Sequence, residues 1–499
     1  MKHTAPHGEG VELAWLLAGL VAAPRIAVKD LSLDSRTVEP GDAFVALAGQ
    51  RSHGLDHLAE AVARGAVAVL WDPTEGRTLP PLPPAVTPVS VPGLRPELGD
   101  LADRFYGEPS SDLELAGITG TNGKTTCAWL YAECRGESGG YLGTLGCGRP
   151  PVLAPATYTT PDVVAIHRSL RALADGGARH VALEVSSHAL AQQRIAGVRL
   201  PLTAFTNLSR DHLDYHGTMA AYAAAKERLF HARGVEHAII NVGDACGREF
   251  AARLPPGVAL TAVASQGAVP AAERFIVATA VACSPEGLRL EGRCHAGPFS
   301  LRSPLVGAFN AENLLVVLGL LLAAQLPLAP ALESLATASS PPGRMEAFRV
   351  GREGPTLVVD YAHTPDALAK VLTALRLHVA GRLWCVFGCG GERDAGKRPL
   401  MAAAAEAGAD FVVVTDDNPR GEDPERIVAM IQAGFSGRVP VHVERDRTAA
   451  IDGTLRQARA GDVILVAGKG HEDYQLYGHE RRAYSDRELA RALTSGAAA

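Results

Sequence analysis

Short apolar runs and longer runs with apolar residues every third or fourth place alternate along this chain. The first hundred residues carry two apolar strands, "DAFVALAG" and "AVAVLW", around "LDHLAEAVARG", whose spacing predicts a helix closed by Gly65 at its C-cap. Upstream, "VELAWLLAGLVAAP" has the look of a secretion-signal core. Glu9 and Glu12 stand where such a signal carries positive charge, and the leucines recur at helical spacing, so it predicts a helix of the folded chain. The proline-rich "PTEGRTLPPLPPAVTPVSVPGLRP" predicts an extended connector.

A second α/β unit opens at the apolar strand "LELAGIT" and continues through "HVALEVS", "LTAFTNL" and "HAIINV", separated by helical patterns such as "AAYAAAKERLF". That order predicts a parallel sheet with crossover helices. The rhythm breaks near "SSPPGRMEAF" and resumes through "TLVVDYA", "RLWCVFGCGG", "DFVVVTDD", "VPVHVE" and "DVILVAGKG", a third, doubly wound α/β unit. Its "GCGGERD" lacks the GxGxxG spacing of a dinucleotide site. The fold class is therefore α/β in three domains, over residues 1–108, 109–340 and 341–499: an N-terminal domain, a central parallel sheet and a doubly wound C-terminal domain.

Composition narrows the function. A length of 499 residues fits about three domains at roughly 150 residues each. The net charge of -6 argues against a general nucleic-acid binder, which needs a basic surface. The eight cysteines form no CxxC pair and read as reduced thiols rather than zinc ligands. No apolar run reaches the ~18 residues of a membrane span, and a cytoplasmic location is expected.

The candidate chemistry begins at "GTNGKTT". Gly117, Gly120 and Gly123 lie between a strand and a helix, where backbone N–H groups converge on an anion. Lys124 adds a positive charge, and Thr125 offers a hydroxyl to magnesium. The spacing is shorter than the common phosphate loop, because the fifth residue before Gly123 is Ile118. Glu184 of "EVSSHAL" and His212 of "SRDHLDYH" follow the ends of the next apolar strands, where ligands gather in open α/β sheets. Hard oxygen donors beside nucleotide phosphates suit magnesium.

These segments, with "AAKERLF", "GAFNAENLL", "GRME", "DYAHTPDAL" and "DDNPR" in the same order, resemble the Mur ligases over nearly the whole chain. These ATP-dependent amide-forming enzymes of peptidoglycan precursor synthesis share the short phosphate loop with folylpolyglutamate synthases. Such a synthase is the alternative enzyme, but it is expected to lack the hundred residues ahead of the loop. A regulatory protein that had lost catalysis would be expected to lose Lys124, Glu184, His212 or Lys226, and all four are present.

The resemblance implies roles residue by residue. Gly120, Thr121, Asn122, Gly123, Lys124, Thr125 and Thr126 would hold the ATP phosphates, with Asn310, Arg344 and Asp360 as further nucleotide contacts. Mg2+ would be held by Thr125, Glu184, His212 and Lys226, the last carbamylated to N6-carboxylysine. That modification needs a neutral amine, which desolvation supplies. Leu33, Ser35, Gln50, Arg51 and Ser52 match contacts to the nucleotide sugar. Tyr158, Thr159, Thr160, Ser186, Gln192 and Arg194 match contacts to its peptide, with Tyr158 in place of an asparagine of some relatives. Arg393, Asp417, Asn418, Pro419, Arg420, Gly468 and Glu472 match the amino-acid site. The implied substrates are ATP, UDP-N-acetylmuramoyl-L-alanyl-D-glutamate and meso-2,6-diaminopimelate, whose second carboxylate Arg420 would take. The expected protein is a monomer that binds no nucleic acid.

Overall fold

The computed structural model describes residues 10–49, 52–156, 158–267, 272–351 and 354–495. The chain divides into two compact units. The first holds the residues up to Lys124 with Arg135–Ile240 and Cys246–Leu260; the second holds Thr125–Cys134, Asn241–Ala245 and the chain from Thr261 onward.

The first unit contains two sheets with parallel strands and a two-stranded antiparallel ribbon, Val11–Glu12 with Ala27–Val28. The smaller has four parallel strands in chain order, Leu31–Ser32, Ala43–Ala46, Ala68–Trp71 and Thr87–Ser90. Ala43–Ala46 is buried throughout, as a strand covered on both faces must be. The predicted helix forms as a turn, Gly54–His57, and a helix, Leu58–Ala63, and Gly65 follows it at φ +102°.

Two local expectations change here. The segment "VELAWLLAGL" keeps only one helical turn, Leu13–Leu16, because Val11–Glu12 pairs with Ala27–Val28 and Leu13 N–H donates to Ile26. The proline-rich connector also contributes the strand Thr87–Ser90. Pro88 has no N–H to donate, and the sheet tolerates it because this strand lies at the edge.

The larger sheet orders its parallel strands Gly139–Gly143, His180–Glu184, Glu114–Thr119, Leu202–Phe205 and His237–Asn241. The chain starts in the middle, at Glu114–Thr119, and builds to both sides. That switch point sets the C-terminal ends of three neighbouring strands, Thr119, Glu184 and Phe205, side by side.

In the second unit, Arg274–Ser284, Gly287–Cys294 and Gly297–Ser303 form an antiparallel set that the helix-strand rhythm does not predict. The doubly wound sheet follows as predicted, with Thr356–Asp360, Val463–Ala467, Leu383–Phe387, Phe411–Val414 and Val441–Val443 parallel in that order. An antiparallel edge strand, Glu346–Arg349, comes from the segment where the rhythm broke. Among the described residues no helix is long and apolar enough to cross a membrane.

Candidate active site

The loop after Glu114–Thr119 is glycine-dependent for a steric reason. Gly120 takes φ +152°, and a Cβ there would collide with Thr206 Oγ1; Gly123 takes φ +87°. Thr121 N–H donates to Asn207 O at 2.8 Å and Asn122 N–H to Asn207 Oδ1 at 3.0 Å. Lys124 opens the helix Lys124–Cys134, which puts Thr125 and Thr126 in its first turn. Its Nζ donates to Gly120 O at 2.8 Å and Thr121 O at 3.0 Å.

Lys226 arrives at the same carbonyl from a different helix, Met219–Glu227. Its Nζ donates to Gly120 O at 2.7 Å and lies 4.5 Å from the centre of the Tyr222 ring, and the side chain is 1% exposed. Burial, reinforced by the charge of Lys124, pulls the amine down to about 6. A lysine that is mostly unprotonated near neutrality is a nucleophile, which is the chemical requirement for carbamylation.

Glu184 ends its strand fully buried. Its Oε1 accepts from Tyr141 OH and from Thr144 N–H at 2.9 Å, and Oε2 accepts from Thr144 Oγ1 at 3.2 Å. Thr159 Oγ1 lies at hydrogen-bond distance, 3.1 Å, from the same Thr144 hydroxyl. Thr160 Oγ1 donates to Glu184 O at 2.8 Å, and Ser186 caps the helix Ser187–Ala191 through Ala189 N–H. Arg194 donates to Thr160 O at 2.6 Å and to Gln192 Oε1 at 2.7 Å, and lies 5.6 Å from the Tyr158 ring centre. Six residues singled out from sequence thus form one network reaching the buried carboxylate.

His212 has left-handed backbone, φ +51°, and its ring meets that of His188 at 4.8 Å and that of Tyr222 at 6.0 Å. Sequence reading missed His188, His216 and Tyr222, although all three lie within the segments it used. Burial, then the neighbouring His212, lowers both His188 and His216 below the ordinary imidazole range.

The network opens into a cavity of about 810 Å³ in the first unit. Leu33, Ser35, Arg95, Tyr158, Gln192 and Arg194 are among the residues that line it. Ser35 donates to Glu60 at 2.6 Å. Ser52 bonds His57 at 3.0 Å, and His57 lines the cavity. Gln50 and Arg51 lie outside the described residues. Arg95, Glu60 and His57 carry no local motif, which is why the sequence did not mark them.

In the second unit, Asn310 begins the helix Asn310–Ala323, its amide donating to Val306 O at 2.7 Å and accepting from Asn313 at 2.8 Å. Asp360 ends its strand and accepts from Met345 N–H at 2.9 Å and Ala362 N–H at 2.8 Å. Burial raises its carboxyl despite nearby Arg344, which lies over the Tyr361 ring at 4.9 Å. Tyr361 also faces His471 at 5.4 Å, and burial lowers His471 to about 4.

The expected amino-acid residues gather at the ends of neighbouring strands of the doubly wound sheet. Arg420, at φ +54°, donates to Gly391 O at 2.9 Å, and the Pro419 carbonyl presses on Gly391, where a Cβ would collide with it. Arg393 is exposed beside them. Asn418 Nδ2 donates to Glu472 Oε2 at 2.9 Å, and Gly468 N–H donates to Asp360 O at 3.1 Å. Between Asp417, Asn418 and Glu472 stands Lys469, fully buried, which sequence reading did not name. Its only signal was its place after the strand "DVILVAG".

This arrangement, a short phosphate loop with a buried lysine against it and a nucleotide-sized cavity nearby, agrees with comparison to known proteins. The Mur ligase family catalytic domain matches residues 27–106, the Mur ligase middle domain residues 118–321, and the Mur ligase glutamate ligase domain residues 343–470. A UDP-N-acetylmuramoyl-L-alanyl-D-glutamate--2,6-diaminopimelate ligase of Xylella fastidiosa (strain 9a5c) is 46% identical, over 98% of each chain. A solved structure of a UDP-N-acetylmuramoyl-L-alanyl-D-glutamate--2,6-diaminopimelate ligase superposes with a TM-score of 0.71 at 36% identity, over 98% of this chain and 100% of that one. Mycobacterium tuberculosis folylpolyglutamate synthase complexed with ADP shares the fold, with a TM-score of 0.56 at 21% identity over 75% of this chain and 92% of that one. With three family domains matched in order and near-full-length identity of 46%, this chain belongs to the Mur ligase family.

Proposed function

We propose that this chain is the ATP-dependent ligase that joins meso-2,6-diaminopimelate to the D-glutamyl residue of UDP-N-acetylmuramoyl-L-alanyl-D-glutamate, a step of peptidoglycan precursor synthesis. The observation that carries the reading is Lys226: a buried amine, lowered to about 6, set 2.7 Å from the phosphate-loop carbonyl of Gly120. A purely structural role gives no reason to bury an amine against that carbonyl.

In the proposed reaction a D-glutamyl carboxylate oxygen attacks the γ-phosphorus of ATP. The new O–P bond forms as the bond to the bridging oxygen breaks, and ADP leaves. The amine of diaminopimelate then attacks the acyl carbon, phosphate departs with the C–O electron pair, and the ammonium proton passes to solvent. Lys124 and the loop N–H groups, Gly120 to Thr126, steady the phosphoryl charge. Leu33, Ser35 and Ser52 face the nucleotide sugar, with Gln50 and Arg51 assigned there from sequence alone. Tyr158, Thr159, Thr160, Ser186, Gln192 and Arg194 orient the peptide, while Asn310, Arg344 and Asp360 contact the nucleotide.

Among the described residues no three His, Cys, Asp or Glu side chains form a ready-made metal cage. The donors near the loop, Thr125, Glu184, His212 and a carbamate on Lys226, are mostly hard oxygens. They fit Mg2+ held in large part by the nucleotide's own phosphates. When bound, Mg2+ would supply charge neutralisation for the transferred phosphoryl group. Arg393, Asp417, Asn418, Pro419, Arg420, Gly468 and Glu472 receive the amino acid. The family matches support three domains, 1–108, 109–340 and 341–499. A cytoplasmic monomer completes the reading.

The test is phosphate release by the purified protein with ATP, Mg2+, the UDP-peptide and meso-diaminopimelate, omitting one component at a time. Release that requires all of them is expected. Release that persists without the UDP-peptide, or use of L-lysine as readily as diaminopimelate, would overturn the assignment.

A further inference from the structure

We propose that Lys469 is a positioning and specificity-determining residue of the amino-acid site, and that it does so by fixing three acceptors and setting the charge of the pocket that receives the substrate's ammonium. This rests on the reading of Asp417, Asn418 and Glu472 as amino-acid contacts.

The geometry is specific. Lys469 is fully buried, and its Nζ reaches Asn418 Oδ1 at 3.1 Å, Asp417 Oδ1 at 3.2 Å and Glu472 Oε2 at 3.3 Å. An ammonium has three protons and no acceptor, and here each proton has one oxygen. These contacts join residues 52, 51 and 3 positions away in sequence.

The first consequence is orientation. Asn418 Oδ1 accepts from Lys469 and also from Leu476 N–H at 3.1 Å. With its oxygen held by two donors, the amide must turn its Nδ2 toward Glu472, where it donates at 2.9 Å. Lys469 and Leu476 N–H together fix which way the asparagine faces, and Lys469 holds the Glu472 carboxylate both through that amide and directly.

Charge gives the second consequence. Asp417 and Glu472 bring two negative charges to one place, and Lys469 returns one positive charge, so the group carries one net negative charge. That is the complement of a single substrate ammonium. Without Lys469 two carboxylates would share the pocket, which favours a proton or an inorganic cation in place of an ordered amine. Arg420, anchored to Gly391 O at 2.9 Å in the same unit, supplies the opposite charge for a carboxylate. A zwitterionic end is matched by a pocket with one spare charge of each sign.

The experiment compares Lys469→Gln, Lys469→Met and the double variant Lys469→Met/Glu472→Gln in the full chain, each checked for folding by its melting transition. The wild type is first run on a panel of amines, meso-diaminopimelate, L-lysine and L-ornithine, and the variants on whichever it uses. A wild type that prefers another amine overturns the diaminopimelate reading, and the variants still decide the role of Lys469. We expect Lys469→Gln and Lys469→Met to raise the amino-acid KM at least 100-fold, with the ATP and UDP-peptide KM values within about twofold of wild type. The double variant, which restores one net negative charge, is expected to recover at least tenfold of that loss. An amino-acid KM within threefold of wild type in both single variants overturns the proposal. So does a parallel rise in the ATP KM, which marks a merely structural lysine, or a double variant no better than Lys469→Met.

Discussion

Among the described residues two lysines are buried, one in each compact unit, and they have opposite surroundings. Lys226 meets a backbone carbonyl and a tyrosine ring, and among the described residues no carboxylate pairs with it. Lys469 meets two carboxylates and an amide oxygen. Burial without a counter-charge drives a lysine toward its neutral, nucleophilic form; burial among carboxylates uses the charge as a strut. One residue type thus stands against a backbone carbonyl in the first unit and among carboxylates in the second, and the difference lies in the neighbours.

The largest expected effects come from reversing the two sites. Lys226→Met should lower ligation by at least about 10³-fold while raising stability. The sign follows from proton counting. Between pH 6 and 10.5 the unfolded chain holds a proton on this amine that the folded chain has given up, so wild-type stability rises with pH across that window. At pH 7 the penalty is roughly 5 kcal/mol at most. In bicarbonate-free buffer, urea melts should show Lys226→Met more stable at pH 7, by less at pH 9.5. Equal stability at both pH values would break the comparison.

Lys469→Met should do the reverse and cost about 3 kcal/mol, since it leaves the buried Asp417 carboxylate and the partly exposed Glu472 carboxylate without the cation between them. The same urea melts measure it, and a stability gain would show that the two lysines are alike after all. Arg420→Ala sharpens the specificity of the second site. It should raise the amino-acid KM about 100-fold and leave the ATP KM unchanged, as read by steady-state kinetics.

The smallest effect concerns a buried pair in the first unit that is neither nucleophile nor strut. Asp103 Oδ1 and His167 Nδ1 lie 3.5 Å apart, and neither atom has a hydrogen-bond partner among the described residues. Burial raises Asp103 to about 6 and lowers His167 to about 4. Folded Asp103 keeps a proton that the unfolded chain loses, so its contribution falls as pH rises from 3.8 to 6. Folded His167 lacks a proton that the unfolded chain holds, so its contribution rises from pH 4 to 6.5. The slopes oppose, and Asp103→Asn should leave the rising one exposed: melts at pH 4.5 and 6.5 should differ more in the variant than in wild type.

The sequence alone determined most of the strands of the central and C-terminal parallel sheets, the phosphate loop and the identity of most candidate site residues, while the order of the strands within each sheet came from the fold. These are written locally: apolar runs of four to six residues, glycines where φ is positive, and a lysine and threonines at the start of a helix. Tertiary structure decided which of those residues meet. Lys226 and Gly120 are 106 positions apart, and only packing removes the water that would keep the amine charged. Thr160 and Arg194 join across 34 positions, and Lys469 finds Asp417 only once their strands flank Leu383–Phe387 in the sheet. The strand through Pro88 escaped for a related reason, since an edge position that forgives a missing N–H exists only in the finished sheet. Hydrogen-bond pairing and desolvation belong to the environment and not to the residue, so a sequence names the groups while the fold sets their charge and their partners.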